Sequence, residues 1–205
     1  MNSIGSGGGR IQGISAALLV GAHSERMACD AIRAGTDRIA SATRIARLLA
    51  TLFEEVLWVG GNPPADAPGR RVPDVGGPPC PLRDLAGALE AAGGERVLVV
   101  AGDLLLVTAD LLLALFAWPE ADAVVPRTVD GAHPLCAIYR RGAVLPVARS
   151  RLDAGDLKLD ELLDVLDTRY LDHADLVRID PGGDALTRVD TPEELDRAGS
   201  GGHPR

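Results

Sequence analysis

The segment Arg96–Ala101 constrains the fold more than any other part of the chain. Its sequence is Arg-Val-Leu-Val-Val-Ala, and Gly102 and Asp103 follow it directly. A strand that is apolar at successive positions buries both of its faces, which is typical of a parallel sheet covered by helices on each side. The sequence therefore predicts a central strand here, in a layered α/β domain.

Short β-rich runs and longer helical stretches alternate along the rest of the chain. The other predicted strands are 14–20, 55–59, 71–74, 122–126 and 136–139, and an extended segment begins at Tyr170. The predicted helices are 36–52, 82–92, 108–116 and 160–167, and a last helix opens at Thr191 with a capping box. Strands joined through helices imply right-handed crossovers and a doubly wound sheet.

We predict one α/β domain with a single doubly wound, mostly parallel, Rossmann-like sheet. The domain covers residues 13–198, and we expect residues 1–12 and 199–205 to be disordered tails. Residues 18–20 and 97–100 should form adjacent central strands, which would bring Gly21 and Asp103 to one crevice.

Composition narrows the class of protein further. The chain has 205 residues, of which 46% are hydrophobic and 24% charged, so it has the composition of a globular protein. Its formal net charge is −8, which argues against sequence-independent binding of nucleic acid because that binding requires a basic surface. The longest apolar region, 97–118, is interrupted by Asp103 and Asp110 and is therefore no membrane span.

The cysteines indicate the compartment. Cys29, Cys80 and Cys136 show no spacing typical of a zinc site. The sequence also begins with a polar, glycine-rich stretch rather than a signal peptide. We therefore expect a reduced, cytoplasmic protein.

Two strand ends carry candidate functional residues. The turn after the first strand contains Gly21 and Arg26, which could present backbone N–H groups and a guanidinium to phosphate. Asp103 follows the central strand and could hold Mg²⁺ beside substrate phosphates, and Asp74 follows the short third strand. From spacing alone, the turn with Gly21 and Arg26 fits an ordinary strand–helix connection better than a phosphate site. For Asp103, capping of the next segment and metal binding are equally open.

Four motifs, in this order and spacing, resemble those of the MobA-like molybdenum cofactor nucleotidyltransferases, which have the nucleotide-diphospho-sugar transferase fold. The motifs are Leu18–Met27, Val100–Asp103, His133–Tyr139 and Val189–Leu195. The resemblance implies an enzyme that transfers a nucleoside monophosphate from a nucleoside triphosphate to a phosphate of molybdopterin. Such an enzyme uses Mg²⁺ and releases pyrophosphate.

The resemblance also implies roles for particular residues. Arg26 and Asp103 would be catalytic, and Asp103 would bind the metal. The nucleotide-binding positions would be Leu19, Gly21, Ala22 and Asp74. The substrates implied are GTP or CTP and molybdopterin, with a molybdoenzyme or a cofactor-biosynthesis protein as partner and no nucleic-acid or membrane partner.

The chain departs from the family pattern at the phosphate-binding residues. Ala31 stands where the family has a lysine, and the chain's only lysine is Lys158. Ala22 replaces the second loop glycine, and Cys80–Asp84 replaces a glycine-rich segment that packs on the base. Two alternatives therefore stay open: a catalytically impaired relative that binds the cofactor or a partner protein, and a transferase for another phosphorylated acceptor.

Overall fold

The computed structural model describes residues 9–20, 38–73, 76–77 and 79–187. The strands are β1 (Ile11–Leu19), β2 (Phe53–Val59), β3 (Arg70–Val72), β4 (Arg96–Ala101), β5 (Ala123–Thr128), β6 (Gly131–Ala132), β7 (Cys136–Arg140) and β8 (Thr168–Asp172). The helices are α1 (Arg38–Leu52), α2 (Pro81–Ala91), α3 (Ala109–Ala117), α4 (Arg141–Asp153), α5 (Asp160–Leu163) and α6 (His173–Ile179).

All eight of these strands form one mixed, mostly parallel sheet. Its order is β3-β2-β1-β4-β7-β5-β6, and β8 pairs with β5. β1 runs parallel to both β2 and β4, with Leu18 opposite Val100 and Leu19 opposite Ala101. The predicted fold class and the adjacency of the two central strands are therefore confirmed.

Two strands, β6 and β7, break the parallel arrangement. β7 lies between β4 and β5 and runs antiparallel to both. A short hairpin precedes it, in which Gly131 turns the chain from β5 into β6 with a φ of +130°. The sequence predicted the strands 122–126 and 136–139 on either side of this hairpin, but it did not predict the direction in which the second one runs.

Two hydrophobic layers cover the two faces of the sheet, as a doubly wound fold requires. On one face, residues of α1, α3 and α6 such as Ile45, Leu111 and Leu176 pack against β1 and β4. On the other face, residues of α2, α4 and α5 such as Leu85, Val144 and Leu162 pack against the same sheet. β4 is buried on both sides, which explains its unbroken apolar sequence.

Several element boundaries differ from the sequence prediction. β1 begins at Ile11, so its first two residues belong to the segment predicted as a tail. The sequence did not predict α4, which contains Gly142 and Pro146, two residues that weaken a helical pattern. The predicted helix 160–167 ends at Leu163, and the extended segment at Tyr170 gives way to α6 at His173.

The remaining sequence predictions concern the starts of two helices and the question of membrane-spanning segments. Thr108 caps α3 as predicted, because its Oγ1 accepts a hydrogen bond from the Leu111 amide. The predicted helix at Thr191 lies outside the described residues. Within the described ranges, no helix combines the length and the apolar character needed to cross a bilayer.

Candidate functional site

The parallel strands β1, β2 and β4 end at one side of the sheet, which we call the carboxyl edge. Two hydrogen bonds extend the sheet past the strand ends: the Val20 amide donates to the Val59 carbonyl at 2.8 Å, and the Gly102 amide donates to the Leu19 carbonyl at 2.9 Å. The chain segments that leave β1 and β4 therefore start side by side. Open α/β sheets bind their ligands at this edge.

Leu19 is one of the two predicted site residues within the described ranges. Its side chain is buried in the same layer as α2. Leu19 therefore contributes its backbone to the carboxyl edge, where its carbonyl accepts the hydrogen bond from the Gly102 amide.

Gly102 allows this close approach between β1 and β4. A Cβ at position 102 would lie 3.2 Å from the Leu19 carbonyl oxygen and 3.8 Å from the Val20 Cα. The first distance is tighter than an ordinary van der Waals contact, so a side chain here would push the end of β4 away from β1. A glycine is therefore needed directly before Asp103.

Asp103 is the second predicted site residue that the structure describes. It is half-buried at the carboxyl edge, directly after the turn residue Gly102. Because Thr108 caps α3, Asp103 is not the N-cap of that helix, which removes one of the alternatives left open by the sequence.

The donor set at Asp103 fits a magnesium ion that is bound together with a substrate. Mg²⁺ usually takes one or two carboxylates and completes its shell with water and substrate phosphates. Among the described residues, no three His, Cys, Asp or Glu side chains form a metal-binding group. A metal at Asp103 would therefore take its other ligands from water, from a phosphate or from residues outside the described ranges.

The remaining predicted site residues lie outside the described residues. These are Gly21, Ala22, Arg26 and Asp74. Their roles stay predictions, as does the proximity of Gly21 to Asp103.

The start of α2 forms another part of the carboxyl edge. Cys80 is buried at its N-cap, and Pro81 opens the helix. The Arg83 guanidinium donates to the Gly76 carbonyl at 2.6 Å, and Gly77, with a φ of +109°, leaves room for it. Arg83 therefore holds the loop that precedes α2.

The described cysteines are unsuited to nucleophilic chemistry. Cys80 and Cys136 are both buried and unpaired by a disulfide. Burial raises the pKa of the Cys136 thiol to about 12, so this group is protonated at neutral pH.

The carboxyl edge continues over β5, β7 and β8. His133 begins the approach to β7, where its Nε2 lies 3.0 Å from Thr128 Oγ1. At the end of β5, Arg127 stacks on the Tyr170 ring, 4.2 Å from its centroid, and pairs with Asp172 at 2.8 Å. Arg127 was not among the residues predicted from the sequence. It follows the apolar run Ala123–Pro126, however, and a charged residue just beyond an apolar run is also the pattern that indicated Asp103.

A groove of about 1340 Å³ opens at the opposite edge of the sheet. Its lining includes Arg10, Glu95, Arg96, Glu120 and Arg140, which lie at the amino ends of β1 and β4 and at the end of β7. The two predicted site residues that the structure describes, Leu19 and Asp103, do not line this groove. They lie at the carboxyl edge.

The order of the parallel strands, with an aspartate just beyond the central strand β4, is that of a Rossmann-like α/β protein with a ligand site at its carboxyl edge. The chain belongs to the family described as the MobA-like NTP transferase domain, whose model matches residues 16–171. This match begins within β1, covers β4 and extends into β8.

Individual relatives are consistent with this family. A protein from Pelotomaculum thermopropionicum, named a probable molybdenum cofactor guanylyltransferase, is 28% identical over 187 residues, which cover 88% of this chain and 89% of the relative. The crystal structure of molybdopterin-guanine dinucleotide biosynthesis protein A from Archaeoglobus fulgidus has a TM-score of 0.69 at 20% identity and covers 90% of this chain and 96% of its own.

A further solved structure of the same fold contains a metal. It is the complex of Rv0371C from Mycobacterium tuberculosis H37Rv with manganese, with a TM-score of 0.54 at 19% identity, covering 78% of this chain and 87% of its own. Because these sequence identities are low, the two solved structures establish only the fold of this chain.

Proposed function

We propose that this protein transfers a nucleoside monophosphate from a nucleoside triphosphate to molybdopterin and releases pyrophosphate. The nucleotide we propose is GTP rather than CTP, because the curated relative from Pelotomaculum thermopropionicum is named a guanylyltransferase. The observation that carries the proposal is the position of Asp103, half-buried at the carboxyl edge and held beside β1 by the bond from Gly102 to Leu19.

The reaction is an in-line attack of an acceptor phosphate oxygen on the α-phosphorus, and the bond to pyrophosphate breaks. Such a reaction needs alignment of the two substrates and neutralisation of charge more than it needs proton transfer. Mg²⁺, when bound, supplies positive charge to the phosphate oxygens, and the solved manganese complex of a structural neighbour supports a divalent ion in this fold. Asp103 would hold this ion.

The other proposed roles follow from the family resemblance. Arg26 would stabilise the leaving pyrophosphate, and Gly21, Ala22 and Asp74 would contribute to the nucleotide pocket. Leu19 is buried at the carboxyl edge and would support this pocket through its backbone.

The test is a titration of the protein with GTP, CTP and ATP in the presence of Mg²⁺, followed by an assay for pyrophosphate release with molybdopterin. We expect binding of GTP and pyrophosphate release that depends on molybdopterin. Failure to bind any of the three nucleotides at millimolar concentration would overturn the proposal. Release that requires a sugar phosphate instead would assign a different acceptor.

One observation favours a second function, that of a catalytically impaired relative that binds the cofactor or a partner protein. Ala31 replaces the lysine of the phosphate loop, and the chain's single lysine, Lys158, pairs with Glu161 at 2.7 Å. A triphosphate carries roughly four negative charges, of which Mg²⁺ and Arg26 offset about three. Binding of molybdopterin without pyrophosphate release from any nucleotide would identify this second function.

A further inference from the structure

Three strand ends stand in a row along the carboxyl edge. The antiparallel register of β4 and β7 pairs Val100 with Cys136, and the Ala101 amide donates to the Leu135 carbonyl at 2.7 Å. Beyond this pair both chain segments turn, since the Leu104 amide donates to the Ala101 carbonyl at 3.2 Å and the Cys136 amide donates to the His133 carbonyl at 2.9 Å. The His133 amide in turn donates to the Pro126 carbonyl at 2.9 Å, one residue before Arg127.

The row has an acidic end at Asp103, after β4, and a basic end at Arg127, in the last part of β5. The order of the strands sets the distance between these two ends. β4 and β5 are separated by one strand, β7, and neighbouring strands lie about 4.8 Å apart. The ends of β4 and β5 are therefore about 10 Å apart, a span that two phosphate groups sharing one metal ion can bridge.

The Arg127 guanidinium is held in place and still has donors to offer. It stacks on Tyr170, and its Nε and Nη2 both bond to the single oxygen Oδ1 of Asp172, at 3.0 and 2.8 Å. Nη1 is not used in this pair. The side chain is 47% exposed, so an anion can reach it from solvent.

Arg127 also lies on the face of the sheet that carries α2. Strand alternation puts it on the same side as Ala123 and Val125, which pack in the layer that contains Leu82 of α2. Tyr170 packs against the same layer. A molecule in contact with both Asp103 and the start of α2 would therefore meet Arg127 at its far end.

We propose that Arg127 binds the phosphate of the acceptor substrate and thereby selects a phosphate monoester as acceptor. A guanidinium recognises phosphate by paired N–H donors, and stacking on Tyr170 orients these donors before the ligand arrives. For the identity of the acceptor, molybdopterin, this inference rests on the proposed function.

The experiment measures the binding of molybdopterin by anaerobic calorimetry, without nucleotide. We expect Arg127→Gln to weaken binding by about tenfold or more, since it removes a charge-assisted pair. Arg127→Lys should recover part of this loss. Arg169→Gln is the matched control, because Arg169 lies on the neighbouring strand, is 59% exposed and forms a loose ion pair with Asp167 at 3.8 Å.

A kinetic readout separates binding of the acceptor from a structural role. With GTP and Mg²⁺, Arg127→Gln should raise the KM for molybdopterin and leave kcat and the KM for GTP unchanged. A change of kcat and both KM values together would overturn the inference.

A second variant covers the case in which Arg127→Gln does not fold. Asp172 is the N-cap of α6 but makes no capping bond with its side chain, so Asp172→Asn leaves the helix start intact. This substitution removes the carboxylate that competes for the Arg127 donors. It should therefore tighten binding of molybdopterin about two- to fivefold. Unchanged or weaker binding in this variant would contradict the inference.

The outcomes distinguish this inference from the proposed function. Binding of molybdopterin that depends on Arg127, without pyrophosphate release, supports the inference and refutes the transfer reaction. Pyrophosphate release with equal molybdopterin affinities in wild type and Arg127→Gln supports the transfer reaction and refutes the inference. Absence of molybdopterin binding in the wild type refutes the inference as well.

Discussion

The amide of Gly102 donates a 2.9 Å hydrogen bond to the carbonyl of Leu19. This bond joins β4 to β1 one residue beyond the end of β4 and thereby sets the starting point of the turn that carries Asp103. Through this bond, the end of β1 determines where the chain segment with Asp103, the candidate metal-binding residue, leaves β4. Changes at this junction should therefore affect the site more than the stability of the fold.

Gly102→Ala tests the junction directly. The new Cβ would lie 3.2 Å from the Leu19 carbonyl oxygen, so the strand ends must separate by a few tenths of an ångström. We expect the free energy of unfolding to fall by only about 1 kcal/mol and Mg²⁺-dependent GTP affinity to fall by about tenfold. Calorimetry and urea denaturation measure the two effects.

Gly142→Ala is the control for this substitution. Its Cβ would meet only Glu95 Oε1 at an ordinary 3.5 Å, and helix propensity favours alanine by about 0.5–1 kcal/mol. Equal nucleotide affinities in the two variants would show that the junction does not shape the site.

Asp103→Asn removes the charge that would hold the metal. We expect this variant to lose Mg²⁺-dependent nucleotide binding and to keep its fold, because Asn has nearly the same shape but no net charge for Mg²⁺. Titration of GTP with and without Mg²⁺ measures the difference. Asp164→Asn, at the exposed end of α5, makes the same charge change away from the edge and should bind normally, whereas unchanged binding in Asp103→Asn would show that the metal is held elsewhere.

Ala31→Lys tests whether the phosphate loop has lost its function. If position 31 faces the nucleotide, the added lysine should strengthen GTP binding by about 1–3 kcal/mol, as expected for one charge-assisted contact. The gain should shrink with added salt if the pocket is solvated. Ala65→Lys, in an exposed loop, controls for the change in net charge.

The two results of this experiment have opposite meanings. Weak binding by the wild type that the lysine rescues would indicate a decayed triphosphate site. Tight binding by the wild type without a gain in the variant would indicate that other residues supply the missing charge.

Ser15→Ala tests a hydrogen-bonded group at the amino ends of β1 and β2. The buried Ser15 hydroxyl donates to Glu55 Oε2 and accepts from the Gly94 amide at 2.8 Å, and Arg70 donates to Glu55 Oε1 at 2.9 Å. Loss of the hydroxyl leaves a buried donor without its partner, so we expect a loss of about 1–3 kcal/mol in the free energy of unfolding. Urea denaturation measures it, with the exposed Ser150→Ala as control.

The hydrogen bonds to Glu55 also predict that the effect of Ser15→Ala on the free energy of unfolding depends on pH. Burial raises the pKa of Glu55, but the bonds from Ser15, the Gly93 amide and Arg70 outweigh it, so the pKa lies below its ordinary value of 4.5. A carboxyl with a depressed pKa stabilises the fold above its unfolded pKa, and this contribution disappears as the pH falls through the folded pKa. The difference between wild type and Ser15→Ala should therefore shrink below pH 4.5, and a constant difference would contradict this assignment.

The amino-acid sequence by itself determined the central features of this protein. The apolar run Val97–Ala101 is typical of a strand that is buried on both faces, and this local pattern was enough to predict β4 and the aspartate that follows it. A second apolar run, followed by a glycine, predicted β1 in the same way. The cap at Thr108 and the turn at Gly131 were likewise predictable, because each depends on the chemistry of a few adjacent residues.

Only the tertiary structure decided the rest. The chain enters β7 from β5 through a short hairpin, and β7 is antiparallel because it inserts between β4 and β5 and pairs with both. The helix α4 after it contains Gly142 and Pro146, which obscure the helical pattern, and it is stabilised by packing in the layer over the sheet. Arg127 acquires its surroundings from Tyr170 and Asp172, which are more than 40 residues away in the sequence. Strand order and these distant contacts arise when two hydrophobic layers close over one sheet, and no local pattern in the chain encodes them.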